Sequence, residues 1–175
     1  TYPRADGEKR FNSAAWVRDG RVLGTYDKWD LPNYAVFDER RYFVRGRAPM
    51  VQEVAGVRVG VVICEDAWAP EAVRAARDAG AQLVVSCNAS PYYEHKHGDR
   101  GDVLRARHAD TGLPLIYLNC VGGQDELVFD GHSLTVDGRG QVSRPAALCE
   151  SALLGVRFDP DAGDLHHDHW PAGET

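Results

Sequence analysis

Apolar and polar positions mix in two short runs, Phe11-Asn12-Ser13-Ala14-Ala15-Trp16-Val17 and Arg21-Val22-Leu23-Gly24-Thr25-Tyr26. Asp19-Gly20 stands between the two runs, and that pair suits the positive φ angles of a type I′ turn, so a β-hairpin is predicted. Asp27 to about Met50 has no period and is read as a long loop rich in aromatic and charged residues. Val57-Arg58-Val59-Gly60-Val61-Val62-Ile63 is β-branched and nearly continuous, which predicts a buried strand. Pro70 then opens a helix of good formers that Gly80 closes. Gln82–Cys87 is the next strand, Val103–Ala109 the next helix with its end near Gly112, and Leu115–Asn119 a third apolar strand.

This strand, helix, strand, helix, strand order implies right-handed crossovers and a largely parallel sheet, an α/β fold. Ser133–Val136 and Gln141–Ser143, around Asp137-Gly138-Arg139-Gly140, predict a closing hairpin. From Asp159 the pattern is lost, which predicts an arm or a disordered tail.

Composition narrows the function. The 175 residues suit one globular domain. Five of the 26 acids and none of the 20 Lys and Arg residues lie in 159–175, so the formal charge of −6 becomes −1 for the rest of the chain. A nearly neutral body with an acidic tail has no broad basic face, which argues against a nucleic-acid partner. No apolar run approaches the ~20 residues that span a bilayer, so no membrane segment is expected. The polar start, Thr1 to Asp6, carries no signal-peptide pattern. Cys64, Cys87, Cys120 and Cys149 are widely spaced and suit reduced thiols of a cytoplasmic protein better than a disulfide framework.

In open α/β sheets ligands sit beyond the carboxyl ends of the strands. Cys64-Glu65-Asp66, Asn88-Ala89-Ser90 and Asn119-Cys120 all occupy such ends. Cys64 follows a strand and precedes a helical segment, where backbone N–H groups and a helix dipole lower a thiol pKa and can hold an oxyanion. A buried cysteine is more often a small hydrophobe, and position alone does not separate Cys64 from Cys87 or Cys120. The polar pair after Cys64 and the long loop before it favour Cys64. That loop carries Lys28 and Glu39 beside Pro32, Asn33 and Tyr34. A lysine near a thiolate stabilises it and can shuttle a proton, although most lysines are solvated charges. His166, His167 and His169 with Asp168 imitate a metal cluster, but adventitious binding in a tail is the commoner case, and no metal site is expected. Tyr92 and Tyr93 near Ser90 are candidates to line the pocket, with aromatic packing the commoner role, and Asp125 with Glu126 are read as loop-anchoring acceptors ahead of a second acid/base pair.

Three segments resemble the nitrilase, or carbon–nitrogen hydrolase, superfamily: Asp27-Lys28-Trp29-Asp30-Leu31-Pro32-Asn33-Tyr34, Val36-Phe37-Asp38-Glu39-Arg40-Arg41-Tyr42-Phe43 and Ile63-Cys64-Glu65-Asp66-Ala67-Trp68. Gly122-Gly123-Gln124-Asp125-Glu126-Leu127-Val128-Phe129-Asp130-Gly131 with Ser133 is similar to the glutaminase domain of glutamine-dependent NAD⁺ synthetases. The resemblance runs from about Tyr2 to Glu150, with several motifs in the same order. It implies a nitrilase-like αββα sandwich, with residues 1–158 as the hydrolase domain and 159–175 as an acidic tail or the start of a linker. It implies Cys64 as nucleophile, Lys28 as catalytic lysine and Glu39 as supporting glutamate, with Tyr34, Glu65, Ser90 and Lys96 binding substrate.

The implied reaction releases ammonia from L-glutamine through a γ-glutamyl thioester. The ammonia then feeds ATP-dependent amidation of deamido-NAD⁺ in a synthetase domain or subunit. The family's general base is a glutamate in a Pro-Glu motif. Before Lys28 the only glutamate is Glu8, in a polar turn, and the first strand, helix and strand of the family core are not matched. No Ser-Gly-Gly-x-Asp-Ser loop is present, so ATP and Mg²⁺ are expected only in the synthetase part and no cofactor in this chain. A homo-oligomer is implied by the resemblance alone. Two alternatives stand beside this reading: a non-catalytic, truncated nitrilase-like module, and a stand-alone amidase or nitrilase.

Overall fold

The computed structural model describes residues 1–94 and 96–168, with residues 96, 97 and 168 described by their backbone only. The centre of the fold is a six-stranded sheet built on β5 (Val57–Ile63), β6 (Leu83–Asn88) and β7 (Leu115–Asn119), which pair in parallel. β4 (Met50–Val54) adds to one edge, and β10 (Leu134–Val136) with β11 (Val142–Ser143) to the other, giving the order β11-β10-β7-β6-β5-β4. The added strands all pair antiparallel. The expectation of a largely parallel sheet is corrected: only the three central strands are parallel. The two helical crossovers account for those, and the outer strands enter through hairpins or an antiparallel return.

Helix α1 (Pro70–Asp78) has proline at its first position and buries Ala72, Val73 and Ala76. Gly80, at φ +89°, carries the chain out of it. Every residue of β5 from Val59 to Ile63 is buried. Gly60 is required there, since a Cβ would lie 3.0 Å from the Ala76 Cβ and 3.2 Å from the Ala81 Cβ. Its absence lets α1 lie close on the sheet. Helix α2 (Lys96–Thr111) begins seven residues before the predicted start. Gly98 and Gly101 weaken the local helix signal, and the buried Arg100 and Leu104 supply tertiary contacts that override it.

A second, antiparallel sheet holds β1 (Tyr2–Asp6), β2 (Lys9–Arg18) and β3 (Arg21–Asp27). The β2–β3 turn has Asp19 at φ +50° and Gly20 at φ +71°, as the type I′ reading predicts. Ala14 and Tyr26 of this sheet join one core with Val61, Val62, Ile63, Leu104, Leu115 and Tyr117. β1 and β4 were not predicted. β1 is almost wholly exposed, and β4 reaches β5 through Ala55-Gly56, a turn pair whose alanine takes a positive φ against its propensity. β8 (Val121–Gln124) and β9 (Leu127–Asp130) form a separate hairpin.

The predicted loss of structure from Asp159 is also corrected. β12 (Gly155–Asp159) and β13 (Asp164–Asp168) form an antiparallel hairpin. It docks through the Gly138 N–H donating to the Gly163 carbonyl at 2.8 Å and through Arg139 to Asp164 at 3.0 Å. His169 and Glu174 of the acidic tail lie outside the described residues.

Candidate active site

Cys64 is the first residue beyond β5 and stands at φ +48°, a left-handed conformation that a non-glycine side chain rarely adopts. Such strain persists only where the surroundings fix it. The fixing group here is Asp66, in the short 3-10 turn Cys64–Ala67. One carboxylate oxygen accepts the Ile63 N–H at 3.0 Å and the Tyr26 hydroxyl at 2.8 Å. The other accepts the Trp29 N–H at 3.0 Å and the Asp30 N–H at 2.7 Å. Four donors from three parts of the chain thus converge on one fully buried carboxylate. Asp66 thereby ties the Cys64 turn to the segment carrying Lys28. Burial pushes its pKa up to about 6, while the backbone donors of Asp30 and Ile63 and the Tyr26 hydroxyl work against that rise. In the sequence Asp66 stands only as a polar neighbour of Cys64. Its signal was the carboxylate two residues after a strand-end cysteine, and its partners come from across the fold.

Lys28 follows β3 directly. Its N–H donates to the Asn12 carbonyl and its own carbonyl accepts from Gly46, both at 2.8 Å. Gly46 is needed at that crossing, because a Cβ there would run into the Asp27 carbonyl. The Lys28 side chain is 2% exposed, and its Nζ lies 2.5 Å from Glu39 Oε1. Asn12 Nδ2 donates to the other Glu39 oxygen at 3.4 Å. The loop that carries Glu39 is held by its N–H donating to the Pro32 carbonyl at 3.1 Å. Below Lys28, Asp27 takes Arg4 at 3.0 and 2.6 Å and the Ser13 hydroxyl at 2.6 Å. Burial alone would raise the Asp27 pKa, but Arg4 and Ser13 outweigh it and hold the carboxyl below its ordinary range.

One cavity of about 300 Å³ is lined by Lys28, Glu39, Cys64, Asn12, Cys87 and Cys120, among others. The three residues predicted as nucleophile, lysine and supporting glutamate therefore meet in one place. The expected low thiol pKa is corrected: burial pushes Cys64 up to about 11, with Lys28 pulling it down and the nearby carboxylates of Glu65, Glu39 and Asp66 adding to the rise. Burial of the thiol outweighs the pull of the single cation. Burial thus favours the neutral thiol of Cys64 over the thiolate.

Tyr34 and Glu65 line a neighbouring cavity of about 280 Å³ with Arg40 and Trp68, and the Tyr34 hydroxyl donates to Glu65 at 2.8 Å. Ser90 is buried and lines neither cavity. Its N–H donates to Asn119 Oδ1 at 2.8 Å, and its carbonyl accepts Arg100 Nη2 at 2.9 Å. Arg100 in turn makes two 2.8 Å bonds to Asp130, with both side chains 1% exposed. This buried pair was missed in the sequence, where an arginine between two glycines carries no core signal. Lys96 begins α2, and its side chain lies outside the described residues.

Tyr92 and Tyr93 are both 48% exposed, and Asp125 with Glu126 forms the β8–β9 turn. His167 Nε2 meets the Thr135 hydroxyl at 3.0 Å. Among the described residues, no three His, Cys, Asp or Glu side chains are grouped to hold a metal ion. Among them, too, no helix is long and apolar enough to cross a membrane.

Residues 1–162 match the carbon–nitrogen hydrolase family. The chain belongs to that family. Over 159 residues it is 49% identical to a glutamine-dependent NAD(+) synthetase of Xanthomonas campestris pv. campestris, a match covering 90% of this chain and 29% of that protein. The synthetase of the same description from Thermotoga maritima is 44% identical over 156 residues, or 88% and 27% of the two chains. This carbon–nitrogen hydrolase thus spans under a third of the length of these relatives. Among solved structures, the glutamine-dependent NAD+ synthetase of Acinetobacter baumannii, in complex with ADP, superposes with a TM-score of 0.89 at 37% identity, covering 99% of this chain and 34% of that one. A nitrilase-superfamily amidase of Nesterenkonia gives 0.71 at 35% identity, covering 80% and 53%. A mutant of that amidase shows the result of Michael addition of acrylamide at its active site cysteine. The α/β architecture is that of the nitrilase superfamily.

Proposed function

We propose that this chain is the glutamine-hydrolysing part of a NAD⁺ synthetase. The observation that carries the reading is the shared cavity in which Cys64, strained at the end of β5, meets the buried Lys28–Glu39 pair. The likeness to named NAD⁺ synthetases over nine-tenths of the chain supports glutamine as the amide.

In this reading Cys64 Sγ attacks the side-chain amide carbon of glutamine. A sulfur–carbon bond forms, the carbon–nitrogen bond breaks, and nitrogen leaves as ammonia with the proton that the thiol gave up. Water then hydrolyses the γ-glutamyl thioester and restores the thiol. A thiol raised to about 11 needs its proton removed as it attacks, so this step draws on general-base help. The resemblance assigns that base to a Pro-Glu glutamate, which no residue before Lys28 matches. Lys28, charge-balanced by Glu39, places a cation beside the sulfur and the developing oxyanion. Tyr34 and Glu65, hydrogen-bonded to each other in the neighbouring cavity, suit the polar end of an amino acid, and the resemblance alone assigns Ser90 and Lys96 to the substrate.

The ammonia passes to a synthetase domain or subunit that amidates deamido-NAD⁺ with ATP and Mg²⁺, so this chain's own chemistry draws on no cofactor. We place the assembly in the cytoplasm as a homo-oligomer.

Ammonia release from a panel of amides tests the reading. Glutamine is expected to be the best substrate, and Cys64→Ala to abolish turnover. A different amide in first place would instead identify a stand-alone amidase. Release from no amide would favour a non-catalytic module.

A further inference from the structure

Three of the four cysteines, Cys64, Cys87 and Cys120, line the same cavity, and all are free thiols. Hydrolysis uses one of them. In the parallel β5–β6 ladder Ile63 is the register partner of Cys87, so Cys64 stands one residue beyond Cys87's partner on the adjacent strand. With strands ~4.8 Å apart and ~3.3 Å per residue, that offset puts the two Cα atoms about 6 Å apart, inside the disulfide range.

Alternation along an extended strand would send Cys64 to the face opposite Cys87. The left-handed turn at Cys64 breaks that alternation, and both residues line the one cavity. Cys120 follows β7, two strands away from β5. That lateral separation is about 10 Å, beyond the reach of a disulfide without backbone movement. Cys149 is exposed and is not among the residues lining the cavity.

We infer that Cys87 is a resolving thiol for Cys64, so that the pair forms a reversible disulfide when a hydroperoxide enters the cavity. The Cys64 thiol gives up its proton and its sulfur attacks one peroxide oxygen. A sulfur–oxygen bond forms, the O–O bond breaks, the sulfur loses two electrons, and the departing oxygen takes up the proton the thiol released, leaving as water or an alcohol. The Cys87 thiolate then attacks the Cys64 sulfenic sulfur. The S–S bond forms and the S–O bond breaks, and hydroxide leaves as water with the proton Cys87 gave up. The bond takes the Cys64 sulfur out of reaction and holds it short of the irreversible sulfinic acid. A reducing thiol restores it.

The four cysteines fall on four different tryptic peptides: 59–74, 78–96, 108–139 and 140–157. The chain is treated with hydrogen peroxide, free thiols are blocked with N-ethylmaleimide, and the non-reducing digest is mapped by mass. The expected product joins 59–74 to 78–96, two hydrogens lighter than the separate peptides, and dithiothreitol reverses it. Cys120→Ala retains the link. Cys87→Ala lacks it and carries Cys64 to the sulfinic acid at the same peroxide dose. Wild-type Cys64 found as sulfinic acid, or linked to 108–139 or 140–157, would overturn the inference. The readout is a mass, so it stands or falls separately from any activity toward glutamine.

Discussion

Lys28 Nζ lies 2.5 Å from Glu39 Oε1, in a pair whose lysine side chain is 2% exposed and whose glutamate side chain is 19% exposed. Removing one partner of a buried pair leaves the other charge uncompensated, at a cost of about 3–5 kcal/mol. Glu39→Gln is therefore expected to lower the unfolding free energy by about that amount, reduced somewhat by the glutamate's partial exposure, as read from urea melts. Lys28→Met removes the charge while keeping much of the stem. Its expected result is a loss of ammonia release of ~10²-fold or more with a smaller loss of stability, measured by steady-state assay and urea melts on the same samples.

Asp66 gathers four donors and no acceptor. Asparagine keeps one accepting oxygen and turns an NH₂ group toward N–H donors. Asp66→Asn is expected to cost about 2–4 kcal/mol, for two or more buried donors left unmet at ~1–3 kcal/mol each. It also frees the Cys64 turn. Tyr26→Phe removes a single donor and should cost about 1 kcal/mol. Chemical denaturation of the two variants checks the order. Equal losses would show that the backbone donors of Trp29, Asp30 and Ile63 do not depend on Asp66.

The Cys64 thiol is raised to about 11 by burial, so the neutral form is favoured in the folded chain. Stability from this group is fully present below the ordinary thiol pKa of 9.0 and is lost as pH rises through about 11. The thiolate fraction grows tenfold per pH unit over the same approach. Site-resolved iodoacetamide labelling of Cys64 should accelerate steadily with pH and level off only near 11. A plateau between pH 6 and 8 would mean that Lys28 dominates the thiol instead.

Asp27 behaves in the opposite sense. Its carboxyl is held low by Arg4 and Ser13, so the stabilisation is present above the model-peptide value of 3.8 and disappears as pH falls through the folded value. The stability difference between wild type and Asp27→Asn should therefore shrink on acidification below about pH 4, as read by urea melts across pH.

The central strands and the hairpin around Asp19-Gly20 were legible because period and turn chemistry are local properties. Cys64, Lys28 and Glu39 were legible as a set through the resemblance their segments carry, and the fold brings all three to one cavity. What stayed hidden is non-local. β1 is polar and almost wholly exposed, and its strand is made by pairing with β2. The β12–β13 hairpin sits in an acidic segment whose strand character comes from its own ladder and from the Gly138–Gly163 contact. The thiol pKa was misjudged because position at a strand end indicates dipoles and N–H groups, whereas burial depends on everything packed around it. Arg100 and Asp130 lie 30 residues apart and are recognisable as a pair only once α2 and β9 are in place.

The most direct test of the central claim is reaction of the chain with an electrophilic analogue of glutamine, followed by peptide mapping. The account predicts one adduct, on the 59–74 peptide at Cys64, suppressed by excess glutamine and absent in Cys64→Ala. An adduct on Cys87 or Cys120 instead, or labelling that glutamine does not slow, would contradict it.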